Sequence, residues 1–461
     1  MPAQRREKSP NTALAQLIEE SGASSAALSH RINELARRAG VNRTYQHTSI
    51  ANWVRRGMRP RPPAPALLAA VLGERLGRPV SLDEIGMGDM RGQRQEIGFD
   101  FSRDPDEALR IATEYWSTVD RRTFVGSGPF AISAFATPVN RWLAVPTDPP
   151  AEHRRGRRRV GRADLDELWE AADEARRWDS KFGGGNWKAN SVTDCLTHRA
   201  APLLAGTFTD AIGRELFTVT AELARVAAWS AFDKGSHDIA QQHFIQALRL
   251  ARSSGDLQAG SYVLATMSLT ATLNGYPQEA IDMAQGAYER AKHSAAPRVL
   301  AFAKLTEARA HGRAGDARGA AAALAASENL LDSIRYDSRD PDWLSYLTHA
   351  RISADATEIY RDLGKPTAAR RWNEQADAMP PGVFTRAVGI RMAVVGTTYL
   401  QSRDLDRGLE MGGRAVDILG RVQSARAHDY IHGLITALEP WRKEAPVSEF
   451  IRRSNTALAA A

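Results

Sequence analysis

The chain has 461 residues, one cysteine, 43 % hydrophobic side chains and a formal net charge of +7. That length allows two or more domains with sizeable cores. The single thiol, Cys195, excludes an intramolecular disulfide and fits a reducing, cytoplasmic compartment. No apolar run is long enough to cross a bilayer, and no apolar core follows the basic start MPAQRREKSPN, so neither a membrane span nor a signal peptide is expected.

The charge is unevenly placed. Residues 1–92 hold 14 Lys and Arg against 8 Asp and Glu, all but one of the surplus charges. A basic segment on a nearly neutral body is the footprint of nucleic-acid binding. An anionic membrane surface would need a basic amphipathic helix with bulky apolar residues, and none is present.

Residues 1–10 read as a flexible basic tail, and residues 11–90 as one small helical domain. Asn11 is suited to cap a first helix with Leu14, Leu17 and Ile18 on one face, ended by Gly22. Ser24 or Ser25 opens a second helix carrying Leu28, Ile32, Leu35 and Ala36. The stretch QHTSIANWVRRGMRPRPP, residues 46–63, predicts a third. Its stripe Ile50, Trp53 and Val54 would pack inward. Gln46, His47, Thr48, Ser49 and Asn52 would face outward, where donors and acceptors suit base edges. Arg55, Arg56, Arg59 and Arg61, around the stop at Gly57, suit phosphates. A surface helix with a basic C-terminus is the plainer reading, since the helix dipole favours one. A fourth helix with Leu67, Leu68, Val71, Leu72 and Leu76 follows the prolines, with Leu82 and Ile85 as lids.

These residues resemble the Cro/Xre-type helix-turn-helix of bacterial repressors: capped helix, turn, a helix ending in IxxWxxRG, and a trailing RPRP. The second helix and its turn are longer than in that family's compact version. The resemblance implies a third helix docked in the major groove.

Residues 91–160 read as a helical linker region. One amphipathic helix carries Leu109, Ile111, Tyr115, Trp116 and Val119, and a Pro/Arg-rich loop at 145–162 reads as solvated or as a secondary nucleic-acid contact. The twin arginine at 121–122 imitates an export signal but lies too far from the N-terminus to be one.

Residues 161–445 repeat. Five segments share a turn followed by small residues at helical spacing, aligned at Ala240, Ala280, Ala320, Ala369 and Gly408, which are 40, 40, 49 and 39 residues apart. Helix pairs of this kind cannot bury their apolar faces alone and stack into a solenoid. The pattern is similar to tetratricopeptide repeats, with the box Ala240, Phe244, Ala247 clearest. The expected fold is all-α: a helix-turn-helix domain followed by a right-handed tetratricopeptide-like α-solenoid, with residues 446–461 as a C-terminal tail. The phrases WDSKFGGGN (178–186), AAWSAFDKGSHDIAQQHFIQALRLARSSGD (227–256) and SARAHDY (424–430) resemble a family of actinobacterial regulators with this domain order. The resemblance implies control of development or antibiotic production.

Motifs for catalysis are missing: no HExxH, no CxxC, no phosphate-binding loop and no GxSxG. His428 and His432 share a helix face but lack a third ligand, so neither metal nor cofactor is expected and the chain is not read as an enzyme. The inner solenoid face would carry Arg225, Trp229, Phe232, Tyr262, Leu269, Arg309, Arg313 and Arg351, aromatics beside arginines suited to an acidic small molecule or peptide. Alternatively, Trp229 and Phe232 pack between repeats. The expected function is sequence-specific transcriptional regulation by a homodimer on a palindromic duplex operator. The alternative is a scaffold or peptide receptor that does not read DNA.

Overall fold

The computed structural model describes residues 10–38, 44–58, 60, 63–82, 84–87, 97–118, 128–144, 158–185, 187–335, 340–376 and 385–459. All regular structure among them is helical apart from one isolated bridge between Arg159 and Thr207. None of these helices is long and apolar enough to cross a membrane. The chain divides into two compact units, residues 1–145 with 236–249, and residues 146–235 with 250–461.

In the first unit, α1 (Thr12–Glu20), α2 (Ser25–Arg38), α3 (His47–Arg55) and α4 (Ala64–Leu76) enclose one core. The apolar stripes legible in the sequence form it: Leu14, Leu28, Ile32, Ile50, Leu67, Leu68 and Ile85 have no exposed surface, and Trp53 keeps 6 %. Each such side chain contributes about 1.5–3 kcal/mol by leaving water. Asn11 organises the edge, accepting from Leu14 N (3.0 Å) and donating to the Ile85 carbonyl (2.7 Å), while its own N–H reaches Val54 O (2.8 Å). Arg31 grips Glu74 through Nε (2.8 Å) and its terminal nitrogen (3.2 Å), tying α2 to α4.

The same unit holds α5 (Pro105–Thr118), α6 (Ser133–Ala144) and residues 236–249 of a later helix. Residues 91–160 are therefore not a plain linker: Tyr115, Trp116, Phe135 and Trp142 are buried. Polar side chains from 236–249 satisfy the irregular backbone there. Gln246 donates to the carbonyls of Gly98 (2.7 Å) and Asp100 (3.0 Å), Arg249 to that of Ser102 (2.6 Å), and Gln241 pairs twice with Ala131. Gly98 fits because a side chain would collide with Gln242 and Tyr115. The segment that reads as the first repeat thus counts with the N-terminal unit. The Pro/Arg-rich loop at 145–157, Arg121, Arg122 and the tail at 1–9 lie outside the described residues.

In the second unit α7 (Arg162–Phe182) leads through α8 (Trp187–Cys195) and α9 (Ala201–Leu204) to α10 (Asp210–Asp233). The helix of the first unit is α11 (His237–Ser254), and hairpins follow. These are α12 (Leu257–Leu273) with α13 (Pro277–Ala291), α14 (Pro297–Ala314) with α15 (Ala317–Asp332), α16 (His349–Asp362) with α17 (Pro366–Gln375), and α18 (Thr385–Gln401) with α19 (Leu405–Leu419). The chain ends with α20 (Ala425–Ala437) and α21 (Ala445–Ala459).

The repeat signal has a local cause. Ala240, Ala280, Ala320, Ala369 and Gly408 each stand buried at the fourth position of a helix, and the last four do so in the second helices of hairpins, packed against their partners. Five residues earlier the turn needs a left-handed residue: Gly235, Gly275, Gly315 and Gly364 have φ of +82°, +85°, +80° and +64°. At the fifth turn Arg403 takes that conformation, φ +62°, which explains why the glycine pattern lapses there. The C-terminal stretch is not a tail. Val447 and Phe450 of α21 are buried in the last core cluster, with Phe450 against Gly412, and cap the end of the stack as a terminal repeat must.

Within this unit the first helices of successive pairs adjoin in the order α7, α10, α12, α14, α16, α18, and α18 returns to α7. The stack closes into a ring. Arg386 of α18 makes the closure, donating to both Asp179 oxygens (2.7 and 3.1 Å) and to Asp233 (2.7 Å), while Arg426 of α20 reaches Asp233 (3.0 Å).

Candidate functional site

Two regions carry functional groups. The first is the outward face of α3. Asn33 of α2 positions its start, donating to Tyr45 O (2.8 Å) and accepting from Tyr45 N (2.7 Å). Tyr45 packs edge-on against Trp53 at 6.1 Å, and Ile50 and Trp53 hold the inner face. With that face buried, Gln46, His47 and Thr48 are exposed, and Ser49 and Asn52 are half-buried. Gln46 precedes the helix in extended conformation and its side chain makes no cap hydrogen bond to the positive end of the helix dipole. Arg55 and Arg56 are exposed at the other end, where Gly57 adopts φ +54°. Arg59 and Arg61 lie outside the described residues.

The second region is a cavity of about 650 Å³ inside the ring. Of the eight residues proposed for the inner face, six line it: Arg225, Trp229, Tyr262, Leu269, Arg309 and Arg351. Phe232 does not; it is buried beside Trp229, with ring centres 5.5 Å apart. Arg313 turns instead toward Glu358 (3.9 Å) and Asp362 (3.5 Å). Trp229 lies under the Arg426 guanidinium, 5.1 Å from ring centre to Cζ.

The wall is an ordered lattice of paired charges. Arg225 donates twice to Glu222 (2.7 Å each) and stacks over Tyr262 at 4.4 Å. Arg309 bridges Asp355 and Glu358, Arg351 pairs with Asp355 (2.7 Å), and the Tyr430 hydroxyl donates to Glu358 (2.6 Å). Burial alone would raise the Glu222 carboxyl, but Arg225 and Arg176 more than reverse it and keep it below its ordinary value. The same balance, burial against Arg386 and Arg426, keeps Asp233 ionised.

Residues that the pattern of small side chains did not bring forward complete the site. Asp179, Asp233 and Arg386 close the ring, and Trp343 and Tyr346 face Tyr262 from the segment before α16. The three phrases WDSKFGGGN, AAWSAFDKGS and SARAHDY meet at the closure. Gly184 N donates to Asp233 (2.9 Å), Gly185 N to Gln423 O (3.0 Å), and Gln423 N to Phe182 O (3.2 Å). A Cβ on Gly184 or Gly185 would stand 2.5 or 2.6 Å from Ser230 O or the Gln423 side chain. Here the glycines serve close approach. Cys195 is buried, which raises its thiol, and among the described residues no three His, Cys, Asp or Glu side chains converge to hold a metal.

No curated protein matches the chain. The family model that matches is described as the SP15 N-terminal domain, and it covers residues 14–88. The matched span is the four-helix head with α3 at its centre, and that head is similar to the SP15 N-terminal domain.

Proposed function

We propose that this protein is a sequence-specific DNA-binding transcriptional regulator whose reader is the head formed by α1–α4. The observation that supports the reading most strongly is α3 itself. Gln46 stands at its cap and His47, Thr48, Ser49 and Asn52 on the face away from the core, Arg55 in its last turn and Arg56 at its C-cap are exposed, and its apolar stripe is consumed by the core. Gln46, His47, Thr48, Ser49 and Asn52 would meet base edges or nearby sugar and phosphate, and Arg55, Arg56, Arg59 and Arg61 phosphates. The basic surplus of residues 1–92 agrees with this role.

One such head makes few contacts, so the reading includes a homodimer on a palindromic operator in the cytoplasm. It also includes the Cro/Xre-like and tetratricopeptide-like character of the two regions, and control of development or antibiotic production. The ring would serve dimerisation, effector sensing or both. Binding of the full chain to genomic duplex fragments, titrated with salt, tests the proposal. Retention of particular fragments with log K falling steeply against log salt is expected. No fragment preference and no salt slope would overturn it in favour of a protein-binding scaffold.

A further inference from the structure

The ring cavity has two unlike ends. Around the circuit, α12 and α14 stand across from the junction of α7 with α18. The α12–α14 side is aromatic. The Tyr262 ring is 4.6 Å from Trp343 and 5.1 Å from Phe302, and its hydroxyl is 3.2 Å from that of Tyr346. The cations on that side, Arg225 and Arg309, are already matched by Glu222, Asp355 and Glu358.

The α7–α18 side is basic. Arg177 and Lys181 line the cavity one turn apart on α7, and neither forms an ion pair with a described carboxylate; Lys181 rests over Phe182 at 5.1 Å. Arg391 of α18 lines the same space. Nine Lys and Arg against five Asp and Glu line the cavity, and with Glu222 and Asp233 paired to lining arginines from behind, a surplus of two cations remains, so its field favours an anion. The volume, about 650 Å³, is in the range that encloses one small molecule.

We infer that the cavity is a binding site for a small amphipathic anion, a flat aromatic body carrying one carboxylate, sulfonate or phosphate. The body stacks among Trp343, Tyr262 and Phe302, and the anionic end meets Arg177, Lys181 and Arg391. This site stands on the second unit alone and does not depend on how the head is used.

The test is a fluorescence titration of the full chain, without DNA, using two dyes of one shape. These are 8-anilinonaphthalene-1-sulfonate and its uncharged relative N-phenyl-1-naphthylamine. The anionic dye should bind saturably at one site per chain and at least tenfold more tightly than the neutral one. Removing both cations in R177Q/K181Q should weaken the anionic dye about tenfold and leave the neutral dye unchanged. W343A should weaken both about tenfold. Arg177 and Lys181 are exposed and Trp343 is half-buried, so the fold should persist, and circular dichroism checks it. Equal affinity for the two dyes, no saturable site, or binding indifferent to all three substitutions would overturn the inference. Displacement of the dye by short acidic peptides but not by 1-naphthaleneacetate would overturn it in favour of an extended ligand.

Discussion

Replacing Arg386 by methionine removes one charge from a cluster that otherwise has little solvent. The Arg386, Asp179 and Asp233 side chains are 7 %, 8 % and 0 % exposed. The variant keeps the length of the side chain but leaves Asp179 without its bidentate partner and Asp233 with Arg426 and the Gly184 N–H. Removing one member of a buried ion pair costs about 3–5 kcal/mol, because the remaining charge stays buried. The chain segments joined here are 207 and 153 residues apart, so the cost falls on ring closure, not on any one helix. Hydrogen exchange followed by mass spectrometry reads it locally, at the Gly184 and Gly185 amides held by Asp233 and Gln423. Exchange there should accelerate by about 10²- to 4 × 10³-fold at pH 7.5, since each tenfold is about 1.4 kcal/mol. The sign with pH is fixed as well. Without Arg386 one of the two cations that oppose burial at Asp233 is gone and its carboxyl moves up from its lowered value, so the penalty is full at pH 7.5 and shrinks as acid protonates it. R386K should lose less, keeping the charge but not the fork. An R386M change below about tenfold, or one indifferent to pH, would refute closure by this cluster.

Other perturbations follow from the same physics. Arg403 holds φ +62° in an exposed turn, so R403G should raise stability by about 1 kcal/mol, measured by urea denaturation; a loss would show that its side chain matters more than its backbone strain. In the first unit burial lowers His243 to about 3 and His237 to about 4, and raises Asp238 to about 6. The imidazoles stabilise fully above their unfolded value and each withdraw about 2 kcal/mol as pH falls from 7.5 to 5, while Asp238 returns about 1.5 kcal/mol over that interval. Calorimetry should therefore show acid destabilisation that H243Q reduces by about 2 kcal/mol; an unchanged pH dependence in H243Q would contradict the assignment.

The head was legible because its information is local. Leu14, Leu17, Leu28, Ile32, Ile50, Trp53, Leu67 and Val71 recur at helical spacing, and the packing buries all of them. The solenoid was legible for the same reason, since one small residue at the fourth position of each second helix repeats its signature. What escaped depends on distant partners. Nothing near Asp179 or Asp233 announces Arg386, although the phrases around them stood out as unusual. Residues 236–249 have the periodicity of a repeat helix, and only Gln241, Gln246 and Arg249 bonding to the backbone at 98–102 and 131 assign them to the first unit. Phe232 and Arg313 share the spacing of the lining residues, but a neighbour claims each: Trp229 covers the ring, and Asp362 draws the guanidinium aside.

The central claim is that α3 reads sequence. Its most direct measurement is selection of duplexes from a random pool by the full chain, in parallel with N52A and R56A. The expected result is a two-fold symmetric motif for the parent chain, relaxed at particular positions by N52A, and the same motif with uniformly weaker retention for R56A. A pool that stays unenriched, or identical sequence-blind losses in both variants, would contradict it.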